Sequence, residues 1–95
     1  MSLTVLEEFI KSGERCHLVG IGGISVSALA EVLHDMGIPL TGSDVNESQI
    51  INKIRKLGID VTIGHKAESV NGAGYIIRTA AVLIIHPAPA TFWAL

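Results

Sequence analysis

Short apolar runs alternate along this chain with stretches in which apolar residues recur every three or four positions. That alternation predicts strands and helices in turn. Residues 16–20 (CHLVG) form a compact apolar run of strand length. From Ile24 the positions Val26, Leu29, Ala30, Leu33 and Met36 keep a helical rhythm. Gly37 and then Pro39 end that helix. Residues 39–43 (PLTGS) predict a second strand. Residues 46–58 (NESQIINKIRKLG) predict a second helix, with Asn46 as its cap, Ile50, Ile51, Ile54 and Leu57 on one face, and Gly58 closing it. Residues 60–64 (DVTIG) predict a third strand, 66–72 (KAESVNG) a helical turn at most, and 74–79 (GYIIRT) a fourth strand. Ahead of all these, Thr4 and Glu7 have capping-box spacing, and Gly13 is a stop for a short opening helix.

The pattern repeats weakly. MGIPLTGS (36–43) and LGIDVTIG (57–64) both run from a helix end through Gly-Ile into a strand. Strands and helices alternating through short links imply parallel pairing and right-handed crossovers. The expected fold is a small doubly wound, Rossmann-like α/β domain over residues 1–82, a parallel sheet with flanking helices. Ligands of such sheets bind beyond the carboxyl ends of the strands. Topology alone therefore selects residues 20–27, Ser43, Asp44, Gly64, His65 and Thr79.

Composition supports one folded domain. The chain has 95 residues, 48% apolar and 17% charged. A net charge of −2 gives no basic footprint for nucleic acid. Glu7, Glu8 and Lys11 leave no signal-peptide core in the first dozen residues. No segment reaches the about 18 consecutive apolar residues of a membrane helix, so the reading is cytoplasmic, with no membrane partner. The single cysteine, Cys16, lies in a strand-like run and reads as a buried, inert thiol. The last charged residue is Arg78, and residues 79–95 carry no formal charge with His86 neutral. Pro87 and Pro89 break any helix there. Residues 83–95 are thus set apart as an apolar tail or the start of a linker that needs a partner, another domain or a second copy.

The chemistry lies in HLVGIGGISVSALAEVL (17–33), where a strand runs through glycines into a helix. Gly20 permits a tight turn, Gly22 and Gly23 let the backbone approach an anion, and Ser25 and Ser27 offer hydroxyls in the first helical turn. Unpaired N–H groups and the positive dipole end favour a phosphate there. No lysine follows the glycines, which excludes the Walker loop for ATP. The dinucleotide pattern G-x-G-x-x-G has Ser25 at its third glycine. Asp44 stands where a ribose-binding acid belongs, and it equally suits a turn. The four histidines lack the spacing of a metal motif. His17 reads as a satisfied core histidine, His34 as solvated, and Lys53, Arg55 and Lys56 as a solvated helix face. An NAD(P)-binding regulatory or redox module, or a remnant that binds nothing and pairs through its tail, are the alternatives to a nucleotide-sugar site.

The loop, followed by GSD (42–44), GH (64–65) and TAAV (79–82), resembles the amino-terminal domain of the Mur ligases, their alanine-adding members above all. The resemblance covers residues 15–82. It implies that the domain binds the UDP part of UDP-N-acetylmuramate, in an ATP-dependent, amide-forming ligase of peptidoglycan synthesis. The diphosphate contacts carry onto Gly20, Gly22, Gly23, Ile24 and Ser25. The uridine contacts carry onto Ser43 and Asp44, and further contacts onto His65, Thr79 and Ala80. ATP and Mg²⁺ are implied for the full-length enzyme in other domains, so this chain would bind no cofactor and would not catalyse alone. The family's glycine after the G-G pair is Ser25 here, its methionine is Val26, and its polar D-N-P-E stretch is replaced around Pro87 by Ile85, His86 and Ala88. A piece of a longer ligase and a short product with a drifted end both remain open.

Overall fold

The computed structural model describes residues 11–64, 73–78 and 83–85. The elements run β1 (Arg15–Val19), α1 (Ile24–Asp35), β2 (Leu40–Asp44), α2 (Gln49–Lys56), β3 (Asp60–Ile63), β4 (Ala73–Arg78) and β5 (Leu83–Ile85). Lys11 and Ser12 are helical, while the capping box at Thr4 and Glu7, the 66–72 stretch, His65, Thr79, Ala80 and His86 lie outside the described residues.

One sheet contains all five strands, in the order β3-β2-β1-β4-β5. β1, β2, β3 and β4 are parallel, as the alternating pattern requires. β5 runs antiparallel to β4, with Ile77 opposite Ile84 and Arg78 opposite Leu83. Only residues 79–82 separate the two strands, too few for the crossover that a parallel pairing needs. The sheet thus extends into the segment that composition set apart as a tail at residue 83. Chain order and strand order diverge between β1 and β4. β2 and β3 are added on one side of β1, and β4 on the other. That reversal is the topological switch point of the sheet.

Burial explains the helices. α1 buries Val26, Ala30 and Leu33, and α2 buries Ile51 and Ile54. These side chains join Cys16 and Leu18 of β1, Val61 of β3 and Tyr75 and Ile77 of β4 in one cluster. α1 and α2 also pack on each other, so both cover the same face of the sheet. The cap of α2 differs from the sequence expectation. Ser48, with an extended backbone, accepts the Ile51 N–H at 3.2 Å, and the helix starts at Gln49 rather than near Asn46. Leu57 is the C-terminal cap and stays 37% exposed, so it does not belong to the buried face. Arg55 is more than a solvated charge, because it donates to the Val61 carbonyl at 2.9 Å and ties α2 to β3. Among the described residues no helix is long and apolar enough to cross a membrane.

Ile21, in the turn after β1, is fully buried and lies against Gly42 of β2. A Cβ at Gly42 would stand 2.5 Å from Ile21 Cδ1 and 2.9 Å from its Cβ. The missing side chain at 42 lets the turn press onto the sheet. Gly42→Ala is therefore expected to cost about 1–3 kcal/mol through overpacking, read as a lower urea midpoint. A midpoint equal to the parent's would contradict this packing.

Cys16 is fully buried in the cluster. Burial pushes its thiol from an ordinary 9.0 up to about 12, against a smaller opposing pull from Arg15. Because the folded state holds this proton more tightly than the unfolded state, the contribution is intact below pH 9.0 and is lost as pH rises toward about 12. Iodoacetamide is expected to leave Cys16 untouched in the folded chain at mildly alkaline pH and to alkylate it in guanidinium chloride. Equal labelling in both conditions would refute its burial.

Candidate functional site: the turn from the first strand to the first helix

β1 ends at Val19, and Gly20, at φ +77°, reverses the chain. An L side chain is strained at that angle, so glycine belongs there. The amides that follow have assigned partners. Gly20 N–H donates to the Ser43 carbonyl at 2.8 Å, and Ile21 N–H donates to the same oxygen at 3.1 Å. Gly22 N–H donates to Asp44 Oδ2 at 2.8 Å. Gly23 N–H turns back to the Gly20 carbonyl at 2.9 Å. Four consecutive amides are thus held inside the protein.

The next three are different. Ile24, Ser25 and Val26 form the first turn of α1, where a helix has no internal acceptor for its N–H groups. The cap residue is Gly23, which supplies no side-chain hydrogen bond, and the first turn holds no acidic residue. A second carbonyl bond begins only at Ser27, whose N–H reaches Gly23 at 2.9 Å. An uncapped helix start is a local concentration of donors and positive dipole.

A cavity of about 410 Å³ opens at this helix start. Its walls are Val19 and Gly20 at the end of β1, the residues from Gly23 to Val26, and Arg78 at the end of β4. Val19 and Arg78 are partners in the β1–β4 register. The cavity therefore lies at the topological switch point, beyond the carboxyl ends of the two strands. Ser25 is exposed there, and Ile24 is 82% exposed at its rim. Half-buried Arg78 brings a guanidinium, which suits phosphate oxygens through paired N–H donors. Topology had selected Thr79 as the strand end. Thr79 lies outside the described residues; Arg78, the last residue of β4, is a wall residue that topology did not select, and its charge, the last along the chain, was the available signal.

The other sequence-selected residues divide by role. Gly20, Gly22, Gly23, Ile24 and Ser25 are brought together as one turn. Gly22 is required by the protein itself, since a Cβ there would stand 2.8 Å from Asp44 Oδ2 and 3.2 Å from Ile51 Cδ1. Asp44 is half-buried and directs both carboxylate oxygens to backbone, Oδ2 to Gly22 and Oδ1 to Val45 N–H at 2.7 Å. Ser43 is fully buried, and its hydroxyl lies 3.1 Å from His17 Nε2. His17 is 1% exposed and satisfied, with Nδ1 also 2.8 Å from Thr41 Oγ1. His34 is half-buried rather than solvated and lines a second cavity with Gly37, Pro39 and Gly58, at the opposite end of the sheet. His65, Thr79 and Ala80 lie outside the described residues.

The model of the family described as "Mur ligase family, catalytic domain" matches residues 15–90.

The chain belongs to the Mur ligase family. It is 46% identical over 74 residues to the UDP-N-acetylmuramate–L-alanine ligase of Legionella pneumophila (strain Corby), a match covering 78% of this chain and 16% of that protein. It is 45% identical over 80 residues to the protein of the same name from Clostridium tetani, covering 84% of this chain and 18% of the relative. The chain thus spans less than a fifth of the length of these Mur ligases. Among solved structures, a murein peptide ligase from Psychrobacter arcticus 273-4 shares the fold, with a TM-score of 0.65, 21% identity, and coverage of 68% of this chain and 14% of that one. No G-K-[ST] occurs in the 95 residues. Among the described residues no group of three or more His, Cys, Asp or Glu could hold a metal ion.

The turn's glycines make separable predictions. A Cβ at Gly23 would meet only the Gly20 carbonyl, at 3.3 Å, a milder contact than those at Gly22. Gly22→Ala is expected to lower stability by about 1–2 kcal/mol more than Gly23→Ala, compared by urea denaturation. Equal losses would contradict the packing of Gly22 against Asp44 and Ile51.

Proposed function

We propose that this chain is the UDP-N-acetylmuramate-binding domain of an ATP-dependent UDP-N-acetylmuramate–L-alanine ligase of peptidoglycan synthesis, working in the cytoplasm. The observation that carries the reading is the pairing of an uncapped helix start with Arg78 across one cavity at the switch point. A diphosphate needs such an arrangement: several N–H donors on one side, a delocalised cation on the other, and apolar walls that strengthen both. The names of the relatives supply the nucleotide sugar.

In this proposal the amides of Ile24, Ser25 and Val26 receive the diphosphate. Gly20, Gly22 and Gly23 shape the turn that presents them, and Arg78 closes over the same oxygens. Ser43 and Asp44 hold the turn from beneath, on the uridine side. His65, Thr79 and Ala80, which follow β3 and β4 in the sequence, contribute further contacts. ATP and Mg²⁺ act in other domains of the full-length ligase, where the muramate carboxylate is converted to an acyl phosphate that the alanine amine attacks. This chain supplies binding and orientation. The apolar tail, residues 83–95, leads toward those domains, or toward a second copy of the chain. A dinucleotide fits less well, because Ser25 stands at the third glycine of the G-x-G-x-x-G pattern.

The ¹⁵N-labelled chain titrated with UDP-N-acetylmuramate, UDP and NAD tests the reading. The uridine nucleotides are expected to shift the amides of Ile24, Ser25 and Val26. Arg78→Ala is expected to weaken them by about 10- to 100-fold, the range for losing a charge-assisted contact. NAD binding at these amides, with no response to either uridine nucleotide, would overturn it.

A further inference from the structure

We infer that His17 is a positioning residue for the diphosphate turn, acting through Ser43. The inference deepens the proposed function and rests on it for the identity of the ligand only.

Strand alternation places Cys16 and Leu18 toward the helices, in the apolar cluster. His17 points to the other face. There it stands opposite Thr41 in the β1–β2 register, and Ser43, two residues on, shares that face. The imidazole spans both positions of the neighbouring strand. Nδ1 lies 2.8 Å from Thr41 Oγ1, and Nε2 lies 3.1 Å from Ser43 Oγ. Arg15 donates from Nη1 to the same Thr41 oxygen. A neutral imidazole offers one donor and one acceptor. Each ring nitrogen thus faces one hydroxyl of β2, and the two contacts together fix the orientation of the Ser43 side chain.

Ser43 is the residue from which the turn hangs. Its carbonyl accepts both Gly20 and Ile21 N–H, and the carboxylate of the next residue accepts Gly22 N–H. A small rotation of Ser43 moves both acceptors at once. His17 is not among the residues that line the cavity, which are Val19, Gly20, Gly23 to Val26 and Arg78. It touches no ligand in this account. It fixes the side chain of the residue whose backbone sets the turn, and so sets where the Ile24–Val26 amides point.

The test compares the parent chain with His17→Gln, His17→Asn and Ser43→Ala. Glutamine reaches as far as Nε2 and keeps a donor for Ser43. Asparagine reaches only the Nδ1 position and keeps the Thr41 contact. In His17→Asn and Ser43→Ala, amide exchange at Gly20 and Ile21 is expected to accelerate about tenfold beyond any change at Leu18 and Ile77. His17→Gln restores the parent rate. Affinity for UDP-N-acetylmuramate falls and recovers in the same order. Exchange at Gly20 and Ile21 that moves only in step with the core, or a glutamine variant no better than the asparagine one, overturns the role. Should the parent chain bind no uridine nucleotide, the proposed function fails while the exchange comparison still decides the role of His17. Should His17→Asn fail to fold, Ser43→Ala, which removes one hydroxyl, decides it.

Discussion

Two consecutive residues at the end of β2 hold the amides of three consecutive residues after β1. The Ser43 carbonyl takes Gly20 and Ile21, and the Asp44 carboxylate takes Gly22. The rest of the site depends on this grip. A neutral hydrogen bond contributes about 1 kcal/mol net, less than the about 1.5–3 kcal/mol from burying an isoleucine side chain. Ile21, fully buried over Gly42, therefore adds anchoring comparable to that of the bonds themselves. The directed bonds supply orientation, which burial cannot. They turn the first amides inward and leave the next three, at the start of α1, as the donors available to a ligand.

The sheet then brings the complementary charge. Because the strand order reverses at β1, its free flank receives β4, whose last residue is Arg78. No local motif joins Arg78 to the glycine turn, which lies more than fifty residues earlier. Their meeting is a consequence of parallel pairing and register. A helix start at the switch point is a general feature of this architecture. The uncapped Gly23 and Arg78 on the wall of the same cavity are what this one adds.

Much of this was legible in the sequence. The apolar runs and the helical rhythm from Ile24 gave the four parallel strands and α1, because burial of one helix face and both strand faces leaves a periodic trace. The cap of α2 was not legible. Asn46 and Ser48 are both good caps, and only the backbone at 48 shows which one reaches Ile51. Asp44 was ambiguous for a physical reason: a carboxylate at a strand end suits a ribose hydroxyl and a backbone amide equally. The inward turn of Ser43 left a fainter trace. Thr41 and Ser43 alternate with Gly42, and that polar face needed a polar neighbour, which His17 on β1 provides. The antiparallel β5 follows from a connection too short for a crossover, but a run without charge looked like a tail.

The central claim is that the turn's own amides are committed to β2 and the helix start receives the diphosphate. A crystal structure of the chain with UDP-N-acetylmuramate tests it most directly. The account predicts diphosphate oxygens within about 2.7–3.2 Å of the Ile24 and Ser25 nitrogens, with Gly22 still bonded to Asp44. A diphosphate bound on the Gly22 amide with Asp44 displaced, or bound away from α1 altogether, would contradict it.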